Sequence, residues 1–235
     1  TTAEETISWS FFTLTWHSLM LAAIASIAAV LLALILAYGK RLRSTPLIEG
    51  SVRAAAMGYA VPGTVIAVGV LIPFAWLDNT VDGWMRESFG ISTGLLLSGT
   101  LVALIFAYTV RFLSVSIQAV ESGLAKIKPS MDDAGRSLGL RPMGVLRKIH
   151  LPIMKGTVLT ALLLVFVDVL KELPATLILR PFNFNTLAVR AYEMAADERL
   201  ADAGAPALMI VLAGIIPVIL LSRAISRARA GGETR

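Results

Sequence analysis

An all-α, multi-pass membrane fold is the class that this sequence predicts, and three observations predict it. Hydrophobic residues make up 56% of the 235 and charged residues only 16%, where soluble domains carry about a quarter charged. The charges are clustered, leaving long runs nearly free of them, and the mean hydropathy is +0.76. Lysine and arginine collect between alternate runs. The runs are continuously apolar and long, where barrel strands would be short and alternating, so they read as helices, each needing about 20 residues to cross.

In order, the candidate spans are about Ser10–Tyr38, Ala54–Trp76, Gly94–Val120, Ile153–Leu170 and Ala205–Ser222, a bundle of about five. Pro62-Gly63 and Pro73 interrupt the second and Pro217 the fifth. Proline there removes a helical hydrogen bond, which neighbouring helices must re-satisfy. Gly58, Gly63, Ala67 and Gly69 permit close helix contact. Lys40, Arg41, Arg43 and Arg53 follow the first span; Lys126, Lys128, Arg136, Arg141, Arg147, Lys148 and Lys155 follow the third; Arg223, Arg227, Arg229 and Arg235 form the tail. The positive-inside rule makes these three regions cytoplasmic, so the N-terminus lies outside and the C-terminus inside. Glu4, Glu5, Asp78, Asp82, Glu87 and the segment 171–204 fall on the opposite side. The net charge of +5 then reflects topology, and cations split among short loops do not make a nucleic-acid surface. The absence of cysteine excludes disulfides and thiolate metal sites.

The basic segment after the third span is the most specific. Ser130 is placed to cap a helix, with Asp133 as the acidic partner of a capping box. That helix runs from about Met131 to Leu138 and ends at Gly139, while Pro142 suits the first turn of a second short helix through about Ile149. Pro152 then opens the fourth span. Ala134 and Gly135 leave a face of low relief for a partner, and Asp133 offers it a charge; an amphipathic interfacial hairpin is the plain alternative.

Asp133-Ala134-Gly135-Arg136-Ser137-Leu138-Gly139, with Ile149-His150-Leu151-Pro152, resembles the "EAA" loop of ABC importer permeases, E-A-A-x3-G-x9-I-x-L-P. Asp133 stands for Glu and Gly135 for the second Ala, while Ala134, Gly139, Ile149, Leu151 and Pro152 match. Glu121–Pro129 looks like the approach to this loop. Asp168–Leu177 and Leu179–Phe184 resemble the iron(III) branch of binding-protein-dependent permeases. The likeness covers about Trp9 to the end. It implies a type I, MetI-like permease: a single transmembrane domain over 1–235, an ATPase-coupling loop over 118–154, and an external loop with a short helix over 171–204.

The resemblance further implies two ABC ATPase subunits, a second permease bundle (fused or homodimeric), an external solute-binding protein and alternating access in a bacterial inner membrane. Thr1 is no initiator methionine and no secretory signal precedes the first span, which suits one half of a tandem permease. ATP and magnesium belong to the partner, since this chain has no G-x4-G-K-[ST] loop. It carries no catalytic constellation, His17 and His150 being expected on opposite sides, and reads as a transport subunit.

Asp168 and Glu172, four apart, share one face if the helix continues, and a hard trivalent cation prefers such oxygen ligands. They are transient iron candidates, with no tightly bound metal expected; Lys171, Arg180 or Arg111 as neutralising partners are the structural alternative. Arg111, toward the cytoplasmic end of the third span, is expected to snorkel to the interface. Arg180, Asn183, Asn185 and Arg190 are candidates for docking the binding protein, an amphipathic helix over 186–199 being the alternative. Ferric iron is the expected cargo. A polyamine, phosphonate or other anion is the alternative within the class, and an ion-driven secondary transporter the one outside it.

Overall fold

The computed structural model describes residues 9–230, all helix and connecting loops. Glu4, Glu5, Arg235 and the side chains of Arg227 and Arg229 lie outside the described residues. The elements are α1 (Trp9–Leu42), α2 (Pro46–Ala56), a 3-10 turn (Gly58–Ala60), α3 (Gly63–Phe89), α4 (Leu101–Ala125), α5 (Pro129–Ser137), α6 (Pro142–Val145), a π turn (Leu146–His150), α7 (Leu151–Ile153), α8 (Lys155–Leu170), α9 (Pro174–Leu179), α10 (Leu187–Ala196) and α11 (Leu200–Ala230).

Among the described residues, four helices are long and apolar enough to cross a membrane: Phe11–Leu42, Gly63–Phe89, Leu101–Ala125 and Leu200–Leu220. The count reaches five with the bent pair Pro142–Ile153 and α8, which meet at 79° and are long and apolar enough only together. The expected bundle of about five spans is therefore found, with shifted ends. The second span begins at Gly63 and not near Ala54, because Pro62 sits at the N-cap with an extended ψ of 140°. Residues 54–60 close α2 and form the 3-10 turn. The third begins at Leu101 and not Gly94.

Residues 92–98 are held instead by two carboxylates one turn apart on α3. Asp78 accepts from the backbone N–H groups of Leu96, Leu97 and Ser98 at 3.2, 3.0 and 2.7 Å. Asp82 accepts from those of Thr93 and Gly94 at 2.7 and 3.1 Å.

Contacts divide the chain into two compact units. One joins the chain through Ala25 with Val61–Arg111 and Val167–Gly214; the other joins Ser26–Ala60, Phe112–Phe166 and the chain from Ile215. In the second unit, Val30, Ala33, Leu34 and Ala37 of α1 bury against Ile117, Val120 and Leu124 of α4, with Met154 and Ala161. Alanines one turn apart on α1 keep that packing close. α4 and α8 also approach closely at Gly123, where a Cβ would stand 3.0 Å from Thr157 Cγ2 of α8 and 2.9 Å from Met154 Cε just before it.

Candidate functional site

The arm from Pro129 to Ile153 folds as the expected helical hairpin, with corrections in its wiring. α5 begins at Pro129, in the first turn where its missing N–H costs nothing, and its N-cap is Lys128. Ser130 therefore lies inside the helix and the capping box with Asp133 does not form; Pro129 has moved the N-cap back from Ser130 to Lys128. The C-terminus is as expected. Gly139 takes φ +80°, its N–H bonds to Arg136 O at 2.9 Å, and Leu140 N–H reaches Gly135 O at 3.0 Å. This is a Schellman closure, which needs a left-handed residue at Gly139.

Asp133 and Ala134 are exposed on α5. Gly135 is not part of that face. It is buried, and a Cβ on it would lie 2.8 Å from Ile149 Cδ1 and 3.2 Å from Val145 Cγ2, so it lets the two arms of the hairpin touch. Leu151 is packed against the apolar core of its unit, and Pro152 is exposed. Pro152 does not open the fourth span: it lies in α7, and the bend falls at Met154, between α7 and α8.

A buried polar cluster that the sequence reading missed holds the hairpin. Asp132, next to the expected acid, is 9% exposed. Its Oδ2 accepts from Arg41 Nε at 2.8 Å and its Oδ1 from His150 Nε2 at 2.5 Å. A carboxylate can only accept, so His150 carries its proton on Nε2; its ring is fully buried and Nδ1 has no partner. Arg41 also donates to Leu124 O (2.6 Å) and Ile127 O (2.8 Å). Tyr38 donates to Pro142 O at 2.7 Å and meets the His150 ring edge-on, and Lys40 pairs with Glu121 at 2.7 Å. Burial raises the Asp132 carboxyl's pKa, but the bonds and charges of Arg41 and His150 outweigh it, and the net shift is downward. The clue in the sequence was spacing: Asp132 and Gly135, three apart, share the inner face of α5.

The carboxylates at the end of α8 do not form a shared site. The helix ends at Leu170, so the continuous face expected for Asp168 and Glu172 is absent; Pro174 starts α9 and breaks it. Asp168 pairs with Lys171 at 3.0 Å. Glu172 lies 3.4 Å from Arg111 Nη1 and accepts the Ala175 N–H at 3.3 Å. Arg111 does not snorkel. It turns inward against Gly63, where a Cβ would stand 2.1 Å from Nη1 and 2.6 Å from Glu172 Oε1. Among the described residues, no three His, Asp or Glu side chains converge as a metal site.

Arg180 bonds Asn185 Oδ1 and pairs with Glu193 at 3.1 Å, and Arg190 pairs with Glu193 at 3.7 Å. His17 Nδ1 donates to Asn185 O at 3.2 Å. Thr186 caps α10, which is the short helix expected in this segment. Asn183 lines a cavity of about 310 Å³ with Asn185, Arg190, His17 and Thr13. The neighbouring Phe182 is 98% exposed.

A bundle of apolar helices, interrupted by one polar hairpin at the base of a bent span, defines a multi-pass permease domain. Residues 29–230 match the family "Binding-protein-dependent transport system inner membrane component". The chain belongs to that family, and so to the inner-membrane permeases of the ABC-importer class. It is 32% identical to an Fe(3+)-transport system permease protein of Haemophilus influenzae over 70% of this chain and 29% of that protein. With a putative 2-aminoethylphosphonate transport system permease protein of Salmonella typhimurium the identity is 25%, over 72% and 57%. The chain thus spans well under two thirds of the length of these relatives. A bacterial alginate ABC transporter, solved in complex with an alginate-bound periplasmic protein, shares the fold with a TM-score of 0.72 at 13% identity, covering 94% of this chain and 80% of that one.

Proposed function

We propose that this chain is one membrane bundle of an ATP-driven importer of ferric iron, moved by a separate ATPase through the hairpin of α5 to α7. The observation that carries the coupling role is the hairpin itself: its outer face presents Asp133 and Ala134, while its inner face is locked by Gly135 and Asp132. A rigid element with one free polar face suits a partner that pushes on it. Asp133 pairs with a cation of the ATPase, which holds the ATP and magnesium; Gly139, Ile149, Leu151 and Pro152 keep the hairpin's shape. The basic clusters support a cytoplasmic position for this side. The opposite side, with Arg180, Asn183, Asn185 and Arg190, receives the binding protein, and a second bundle completes the pathway.

Iron is supported by the 32% identity to the Fe(3+) permease. Asp168 and Glu172 each have a cationic partner, so Fe3+ meets them only transiently, by displacing Lys171 or Arg111. Oxygen ligands suit a hard cation, and the weak hold favours release. The Salmonella relative supports a second reading, a small phosphonate.

The test is to purify the complex from its native membrane with an affinity tag on this chain, identify its subunits by mass, and assay uptake of radiolabelled Fe3+ and of 2-aminoethylphosphonate into vesicles. An ATPase that leaves on Asp133→Lys is expected, together with iron uptake that slows in Asp168→Asn. Retention of the same ATPase by that variant, or phosphonate uptake in place of iron, contradicts the corresponding half of the proposal.

A further inference from the structure

The hairpin is joined covalently to α4 at one end and to α8 at the other. Arg41 gives it a third attachment. This arginine closes the last turn of α1, yet the side-chain contacts of its guanidinium go to other elements: Leu124 O in the last turn of α4, Ile127 O in the link that follows it, and Asp132 in the first turn of α5. Leu124 O also accepts the Ile127 N–H at 3.1 Å, so one planar group adds to the turn that closes α4, meets Ile127 O beyond it, and grips α5 together. Its neighbours on α1 add to the hold, Lys40 on Glu121 and Tyr38 on Pro142 O.

We propose that Arg41 is a positioning residue for coupling: it makes the end of α1 move with the hairpin, so that the stroke reaches the first span directly and not only through α4 and α8. The inference rests on the hairpin being the ATPase's point of attachment, and it specifies where the force goes next. Separating α1 from the hairpin breaks a desolvated ion pair and leaves Asp132 facing only His150. Arginine suits the role because its fork presents several donors in fixed directions, where lysine offers one point charge.

The chain lacks cysteine, so an introduced pair is unique within it. Nitroxides at Ile35→Cys on α1 and Ser137→Cys on α5, both exposed positions, report the separation of the two elements in the purified complex. The expected result is one distance with and without vanadate-trapped ATP. In Arg41→Gln the distance shifts on trapping, and solute moved per ATP falls roughly fivefold or more while the ATPase stays bound. Arg41→Lys, a milder change, gives an intermediate ratio, and Arg43→Gln leaves it unchanged. A distance that already shifts in the unaltered complex, or a normal ratio in both Arg41 variants, overturns the inference with the ATPase still attached. Absence of any ATPase from the unaltered complex removes the parent reading and this one with it.

Discussion

Gly135 and Ile149 should behave as a coupled pair, and a double-mutant cycle measures it. In Gly135→Ala the new methyl would stand 2.8 Å from Ile149 Cδ1 and 3.2 Å from Val145 Cγ2, so the δ-methyl has to give way. Alanine inside a helix gains about 1 kcal/mol over glycine, and overpacking costs about 1–3 kcal/mol. The single change is thus expected to fall between neutral and about 2 kcal/mol destabilising. Ile149→Val alone removes the δ-methyl and costs about 0.5–1.5 kcal/mol. In the double variant the worst overlap has gone while the helical gain remains, so a favourable coupling of about 1 kcal/mol is expected. Amide hydrogen exchange of residues 131–138 in the purified complex reads local opening; about 1 kcal/mol is roughly a fivefold change in protection. Strict additivity of the two single effects would refute the packing argument. It would mean that the half-buried Ile149 simply swings aside. The family pattern carries alanine where this chain has Gly135, so the cycle also tests what accompanies that departure.

Three further outcomes follow from the same geometry. The Asp132 carboxyl lies below its ordinary range when folded, so its contribution to stability is complete above the unfolded value of about 3.9 and is lost as pH falls through the folded value. Hairpin protection, followed by hydrogen exchange across that acid range, should therefore drop in the natural chain; Asp132→Asn should already be weakened at neutral pH and flatter toward acid, and parallel curves would contradict this. At Gly139, φ is +80°, and a side chain in the left-handed region costs about 1–2 kcal/mol: Gly139→Val should loosen the α5 terminus, while Gly139→Asn should be milder, and equal exchange rates in the two would count against the Schellman closure. Glu172→Met should destabilise by about 1–3 kcal/mol, because the half-buried Arg111 loses the Glu172 carboxylate, and Arg111→Met with Glu172→Met should recover much of this; thermal unfolding in detergent decides, and a double variant worse than Glu172→Met would sink the argument.

The span count, the hairpin and its glycine terminus were legible because each rests on a local rule: apolar length, proline at a first turn, glycine at a left-handed C-terminus. What was not legible depends on long-range pairing. Arg41 and Arg43 are alike in sequence and both count toward the charge asymmetry between loops, yet Arg41 is taken up by residues more than 80 positions away. Asp132 and Asp133 are likewise adjacent and chemically equal; the helix turns one inward and the other outward. Arg111 was read as an interfacial cation because composition favours snorkelling, whereas Gly63 opens just enough space for it to turn toward Glu172. The carboxylate pair failed at Lys171 and Pro174: a four-residue spacing places two groups on one face only if the helix runs through both.

The two half-buried arginines, Arg41 and Arg111, answer the same problem by the same chemistry. A long helix that ends or begins among apolar neighbours leaves backbone groups without partners, and leaving each unmet costs about 1–3 kcal/mol. Where α4 gives way to the link before α5, Leu124 O already accepts the Ile127 N–H at 3.1 Å, and Arg41 adds a donor to it and meets Ile127 O as well. At the start of α9 the free group is an N–H, and Glu172 meets it from the side chain while Arg111 balances the charge. In each case the arginine comes from a spanning helix, while its carboxylate comes from the first turn of α5 (Asp132) or from the break before α9 (Glu172). A guanidinium stays charged at any attainable pH, so neither break depends on proton uptake at the arginine to remain closed. A cation entering beside Glu172 must compete with a partner that cannot be neutralised. That competition sets a weak, reversible contact as the most this position can offer a cation.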